Sequence, residues 1–382
     1  MDPLKYIIQV QKTLATQNAL IFQAPGRINI IGEHTDYNQG LCIPAAIDKS
    51  IYFGITPSHE TEIISLDQNN NWFPKQDKRM PDWAIYFKGV MDLLKQKGYS
   101  WPYFKLVFGG DLPIGAGLSS SSAITCGFIS ILNEFAELNI SKEKLTSLAV
   151  QAEKASGLDG GMMDQICIMN GKKDHALMID CSNWKYIYLP ISFPDVSWLV
   201  VDTKVKHKLV DTEYNSRSTS CREILQTAKQ MFHEMNSLSQ LDENMISKIK
   251  SQLSKGKSEM LQYIFDENMR VIRMEDAINH SDFNSMGNLL FEGHDGLRKQ
   301  YQVSCEELDF LVDYAKHNGS AYGARMMGGG FGGSTLHLIP QSTKQNYQIG
   351  IANAYKNRFG FYPEVFEAVT CDGVHEERGK EQ

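Results

Sequence analysis

Strand patterns in the first half of the chain and helical patterns through much of the second predict a mixed α/β (α+β) fold. Three observations carry that prediction. Residues 103–109 alternate as a strand does, end on glycines, and give way to Ile124, Phe128, Ile131, Leu132 and Phe135 at helical spacing. Residues 224–311 read as mostly helical. A glycine-rich turn with five glycines around Phe331 then leads into a strand from about Ser334, a helix over 349–359 and a last strand over 365–370.

The remaining elements follow in order. Leu4, Ile7, Ile8 and residues 10–14 suggest an amphipathic first helix, and 19–23 a short strand. Residues 41–56 read as strand, turn and strand. A helix over 80–98 would place Trp83, Tyr86, Val90, Met91 and Leu94 on one side. Ser141 caps the next helix, whose apolar stripe is Leu145, Leu148, Ala149 and Ala152, with Glu153 closing the row one turn after Ala149. Residues 165–169 read as a helix, and 176–180 and 198–202 as short buried strands. The aromatic, turn-rich piece between those strands, 182–194, is where two domains, 1–190 and 191–382, would join. Ser304 and Glu307 have the spacing of a capping box, and Asn318-Gly319 ends the helix that it would start.

A chain of 382 residues has room for two ordinary domains. Net charge is −7 and there is no long basic block, which excludes a nucleic-acid binder of the usual electrostatic kind. The first residues lack the basic start and apolar run of a signal peptide, and no apolar segment is long enough to span a bilayer. The seven cysteines are scattered and suggest neither a zinc site nor a disulfide framework. The expectation is a soluble, reduced, cytoplasmic protein without membrane or nucleic-acid partners.

Three stretches carry chemistry. The first is 112–123, Leu-Pro-Ile-Gly-Ala-Gly-Leu-Ser-Ser-Ser-Ser-Ala, between the strand and the helix of the opening paragraph. Its glycines permit close backbone approach, and the unpaired N–H groups of a helix start attract an anion, phosphate above all. The plainer reading is an N-cap, but one serine suffices for that. No Gly-Lys-Ser/Thr follows, so it is not a Walker loop. The second, 24–37, packs Arg27, Glu33, His34 and Asp36 among Ile28, Ile30 and Ile31. A solvated loop, an ion-pair network and a metal site are all open readings; carboxylates and an imidazole gripping a polyol rank first, since each carboxylate accepts several hydroxyl hydrogen bonds. The third, 157–164, sets Asp164 behind glycines at the start of a helix, where a plain helix-start acid is the competing reading. Glu153 is either a solvated helix-end acid or a metal ligand near the phosphates.

Residues 25–37, 113–123 and 325–334 resemble, in that order, the three motifs of the GHMP small-molecule kinases. Gly26-Arg-Ile-Asn-Ile-Ile-Gly-Glu-His-Thr-Asp-Tyr37 is similar to the signature of the galactokinase family. Glu213-Tyr214-Asn-x-Arg217, Gly161-Met-Met-Asp-Gln165 and Gly293-His-x-x-Leu-Arg298 before Ser304-Cys-x-Glu-Leu-Asp309 agree with it. The resemblance spans nearly the whole chain. It implies a two-lobed fold with the active site in the inter-lobe cleft, a monomer, and transfer of the ATP γ-phosphoryl group to the C1 hydroxyl of galactose, the opening step of galactose catabolism. It implies Asp164 and Arg27 as the catalytic pair, and Glu33, His34, Asp36, Gly161, Asp164 and Tyr214 as sugar contacts. Pro113, Gly115, Ala116, Gly117, Leu118, Ser119, Ser120, Ser121 and Ser122 match the ATP phosphate cradle. Ser121, or Ser120 beside it, and Glu153 match the positions near Mg²⁺, a hard cation suited to oxygen ligands.

Three positions depart from the family pattern: Gly160 where a cysteine is common, Ser218 where many members have a second arginine, and Ile85 where an asparagine is usual. They leave sugar identity and nucleotide fit open. The alternatives are a related sugar-1-kinase for galactosamine, N-acetylgalactosamine or arabinose, and a non-catalytic galactose/ATP sensor. The intact serine run, with Arg27 and Asp164 both present, favours the enzyme.

Overall fold

The computed structural model describes residues 3–76, 80–155, 160–206 and 210–377. In the first half run α1 (Pro3–Leu14), β1 (Leu20–Asn29), β2 (Leu41–Cys42), β3 (Pro44–Pro57), β4 (Glu62–Ser65), β5 (Asn70–Trp72), α2 (Ala84–Gln96), β6 (Phe104–Gly110), α3 (Ser120–Phe135), α4 (Lys142–Ala155) and α5 (Met163–Asn170). Then come β7 (His175–Asp180), β8 (Lys185–Pro190), β9 (Val196–Lys206), α6 (Val210–Met231), α7 (Glu243–Lys250), α8 (Lys255–Asn279), α9 (Phe283–Gly296) and α10 (Glu306–Asn318). The chain closes with β10 (Gly323–Met327), β11 (Gly332–Pro340), α11 (Lys344–Phe359), β12 (Glu364–Glu367) and β13 (His375–Glu376).

A mixed sheet in the order β13-β1-β3-β6-β4-β5 forms the first layer. α3 lies against β1 and β3 and is covered by α2, α4 and α5. Every residue from Ser122 to Leu132 is buried, which explains why α3 is apolar nearly all round. β1 extends six residues beyond the short strand that alternation predicts. Residues 24–29 are buried on both faces, so alternation disappears, and a register shift at Pro25/Gly26 absorbs the two residues that read as breakers.

A second sheet, β10-β11-β9-β12, carries α9, α10 and α11. A third, β2-β7-β8, includes a strand that sequence reasoning missed. Residues 185–190 read as turn and aromatics because β8 is an edge strand with mostly exposed side chains, and no apolar period marks it. The Ser304–Glu307 capping box is also corrected. The N-cap is Cys305, and the Ser304 hydroxyl instead donates to Asp309 Oδ1 at 2.6 Å. Gly319 does close that helix in the left-handed conformation.

Candidate active site

Near its end β1 carries a buried arginine. Arg27 donates through Nε to Asp164 Oδ1 at 2.7 Å and through Nη2 to Oδ2 at 3.0 Å, a bidentate pair, and its Nη1 reaches the Gly117 carbonyl at 2.6 Å. Burial alone would lower the guanidinium pKa, but the Asp164 carboxylate more than offsets it and the net shift is upward. Asp164 stands in the first turn of α5. Its Oδ2 also accepts a hydrogen bond from the Ser119 hydroxyl. The strand end, the serine loop and the helix start therefore meet on one carboxylate. Ser119 is the N-cap residue of α3, yet it sits in the left-handed region at φ 59° and its side chain makes no cap hydrogen bond. The cap reading fails here because the hydroxyl is turned to Asp164.

A second carboxylate lies on the other side of the loop. Glu153 is buried, which rules out the solvated-acid reading. Ser122 Oγ donates to its two oxygens at 2.9 and 3.1 Å, and Gln165 Nε2 donates to Oε2. Desolvation raises its pKa, the nearby Asp164 adds to that, and hydrogen bonds from Ser121, Ser122 and Gln165 work against it. Gln165 Oε1 is buried without a partner among the described residues. A desolvated carboxylate, serine hydroxyls and an orphaned amide oxygen are hard donors, the kind that suit Mg²⁺ beside phosphate.

The loop after β1 forms the opposite wall. Glu33 Oε1 accepts from Arg325 Nη2 at 3.1 Å and from the Gly328 backbone N–H at 2.9 Å. Arg325 is fully buried and also donates to the carbonyls of Asn29, Ile30 and Met326. His34 Nδ1 lies 2.7 Å from the Tyr37 hydroxyl, which in turn lies 2.7 Å from Tyr301 Oη, and Cys221 Sγ continues the row at 3.2 Å. Burial pushes the His34 imidazole down to about 3; the Gly329 backbone works against this, while Arg217 and Arg325 add to it. The ring is therefore neutral at working pH. Asp36 is pushed up to about 6 by burial and by the neighbouring Asp164 and Glu33. Its carboxylate lies against Gly161, where a Cβ would come within 1.9 Å of Oδ2, so only glycine fits. Tyr214 packs its ring 5.4 Å from that of His34.

One cleft of about 470 Å³ is lined by Arg27, Glu33, His34, Asp36, Gly161, Asp164 and Tyr214. Gly115, Gly117, Leu118, Ser119, Ser120, Ser121, Ser122 and Glu153 line it as well. Two loop residues stand apart. Pro113 lines a neighbouring hollow, and Ala116 is buried behind the loop, its carbonyl accepting from Ser334 Oγ at 2.7 Å. The 328–333 turn joins the cleft, and the Gly328 and Gly117 backbones touch. Gly157, which opens the third stretch read from the sequence, lies outside the described residues. Sequence reasoning gave no role to Arg325, Gln165, Tyr37, Tyr301 or Cys221. A lone charge in the apolar run Ala324-Arg-Met-Met327 was a signal for Arg325. Tyr301 and Cys221 offered none, since only folding brings them to His34.

A strand–serine loop–helix unit, clamped by a glycine-rich turn from a second lobe over a carboxylate–arginine pair, defines a two-lobed GHMP small-molecule kinase. Family models agree: the galactokinase galactose-binding signature matches residues 11–57, the N-terminal domain of GHMP kinases 85–172, and their C-terminal domain 274–356. Galactokinase of Thermotoga maritima is 35% identical over 353 residues, covering 92% of this chain and 98% of that protein. Galactokinase of Limosilactobacillus fermentum is 33% identical over 387 residues, covering 98% of this chain and 100% of its own. The crystal structure of Lactococcus lactis galactokinase complexed with galactose superposes at a TM-score of 0.90 with 26% identity, covering 97% of this chain and 98% of that one. The chain belongs to the galactokinase family.

Proposed function

We propose that this chain transfers the γ-phosphoryl group of ATP to the C1 hydroxyl of galactose, giving galactose 1-phosphate and ADP. The observation that carries the reading is that the Asp164–Arg27 pair shares one cleft with two unlike sets of groups. One is a set of polyol-gripping groups, Glu33, His34, Asp36 and Tyr214; the other is a glycine- and serine-rich anion loop. The relatives' activity and the galactose held by the Lactococcus lactis enzyme support the choice of sugar. We place the junction of the two lobes near residue 190, with the C-terminal strand β13 returning to pair with β1 of the first lobe.

Phosphoryl transfer depends on positioning and charge neutralisation more than on covalent help. Asp164 orients the sugar hydroxyl. Its oxygens already accept from Arg27 and Ser119, which fixes the carboxylate's direction toward the cleft. Arg27 neutralises charge that builds on the transferring group. The N-terminal N–H groups of α3 hold the phosphates. Ser121, Ser122 and Glu153 would hold Mg²⁺, which supplies charge neutralisation at the phosphate oxygens.

The test is ADP release with Mg·ATP against galactose, 2-deoxygalactose, galactosamine, N-acetylgalactosamine, glucose and arabinose. Turnover confined to galactose and its close C2 analogues is expected. Turnover confined to another sugar moves the specificity, and none at all, with galactose still binding, overturns the enzyme in favour of a sensor.

A further inference from the structure

The sugar-gripping loop is itself gripped from behind by α8. Glu267 is wholly buried, and its Oε1 accepts two consecutive backbone N–H groups, those of Gly32 at 2.9 Å and Glu33 at 3.2 Å. Its Oε2 accepts from Arg270 Nε at 2.7 Å. One turn earlier on the same helix, Tyr263 Oη donates to the Glu33 carbonyl at 3.0 Å. One residue after Glu267, Asn268 Oδ1 accepts the Leu41 N–H at 2.8 Å. Backbone groups at both ends of the 32–41 loop thus terminate on one helix, and Glu33 is held at both its N–H and its C=O. This also accounts for Gly296 of α9. A Cβ at Gly296 would meet Tyr263 Cδ2 at 2.8 Å and Arg270 Nη2 at 3.2 Å, and Gly293 faces Glu267 Oε2.

We infer that Glu267 is a positioning residue for sugar recognition: its carboxylate fixes the Gly32–Glu33 peptide, and through it the direction in which the Glu33 side chain enters the cleft. The inference rests on the sugar-kinase reading above. A buried carboxylate is costly to keep, and a helix this apolar on its inner face does not need one for packing. Two aligned N–H groups are a natural anion seat, and here the anion is supplied by the protein. With the loop backbone set by α8 and the Glu33 carboxylate tied to Arg325 and Gly328, the glutamate has little freedom left before sugar arrives.

The test is steady-state kinetics of Glu267→Gln and Tyr263→Phe beside the wild type, with galactose affinity by calorimetry and melting temperature as controls. Glu267→Gln cannot serve two N–H groups and Arg270 equally well. It should raise KM and Kd for galactose about tenfold while kcat and KM for ATP stay within about threefold. Tyr263→Phe leaves the buried charge pair alone and should raise galactose KM about threefold. Folded variants that melt lower but keep wild-type galactose KM and Kd would overturn the inference and leave Glu267 a purely structural group. If Glu267→Gln does not fold, Tyr263→Phe decides by the same criterion. A wild-type chain that binds galactose without phosphorylating it would sink the proposed function, not the clamp, which is then judged on Kd alone.

Discussion

Asp164 and Glu153 are two carboxylates of one cleft, held in opposite ways. Asp164 is a quarter exposed and meets a guanidinium in bidentate geometry. Glu153 is buried and meets serine hydroxyls and an amide, and its proton affinity rises. The difference lies in what each still lacks. Asp164 has its countercharge built in, the Arg27 guanidinium held at both carboxylate oxygens. Glu153 has hydrogen bonds from Ser122 and Gln165 but, among the described residues, no cationic side chain paired with it, so on the proposed reading it gains most from a cation that arrives with the nucleotide. One carboxylate meets a fixed countercharge and the other only hydrogen-bond donors.

Substituting each carboxylate tests that contrast. Asp164→Asn should lower kcat by on the order of 10³-fold, read in the ADP assay, because orientation and charge at the reacting hydroxyl go together. It should also lower the melting temperature, since Arg27 is left buried beside a neutral amide, a loss of about 3 kcal/mol. Glu153→Gln should cost about 100-fold in kcat/KM for Mg·ATP. Its melting temperature at pH 8 should instead rise, because a disfavoured buried charge is removed. The opposite signs in calorimetry are the sharpest check, and matching signs would dissolve the comparison. Ser119→Ala removes a donor to Asp164 and should lower kcat about tenfold with little change in either KM.

The smallest effect concerns Asp36, a third carboxylate, whose pKa stands at about 6 against 3.8 for an ordinary aspartate. A raised carboxylate pKa gives stability that is full below 3.8 and lost as pH rises through about 6. Asp36→Asn should therefore melt higher relative to wild type at pH 8 than at pH 5. A difference that does not change between those pH values would mean that Asp36 is not desolvated.

Much of this was legible in the sequence. Gly115, Gly117 and the serine run announced an anion loop by local chemistry alone, and the clustering of Arg27, Glu33, His34 and Asp36 announced a polar wall. The helices over 3–14, 120–135 and 344–359 were visible in apolar spacing or nearly so. Less visible were β8, an exposed edge strand, and the far half of β1, buried on both faces; neither alternates.

The sequence by itself therefore determined the fold class, the loops and the residue types at the site, because turn chemistry, helix periodicity and glycine permissiveness act over a few neighbouring residues. Only the tertiary structure decided which partner each group received. That Ser119 turns from its helix to Asp164, that Glu153 is buried and not solvated, and that Arg325, Tyr301 and Glu267 reach the 32–41 loop are consequences of packing between segments far apart in the chain. Burial and countercharge set the proton affinity of a carboxylate, and both belong to the folded surroundings, not to the residue.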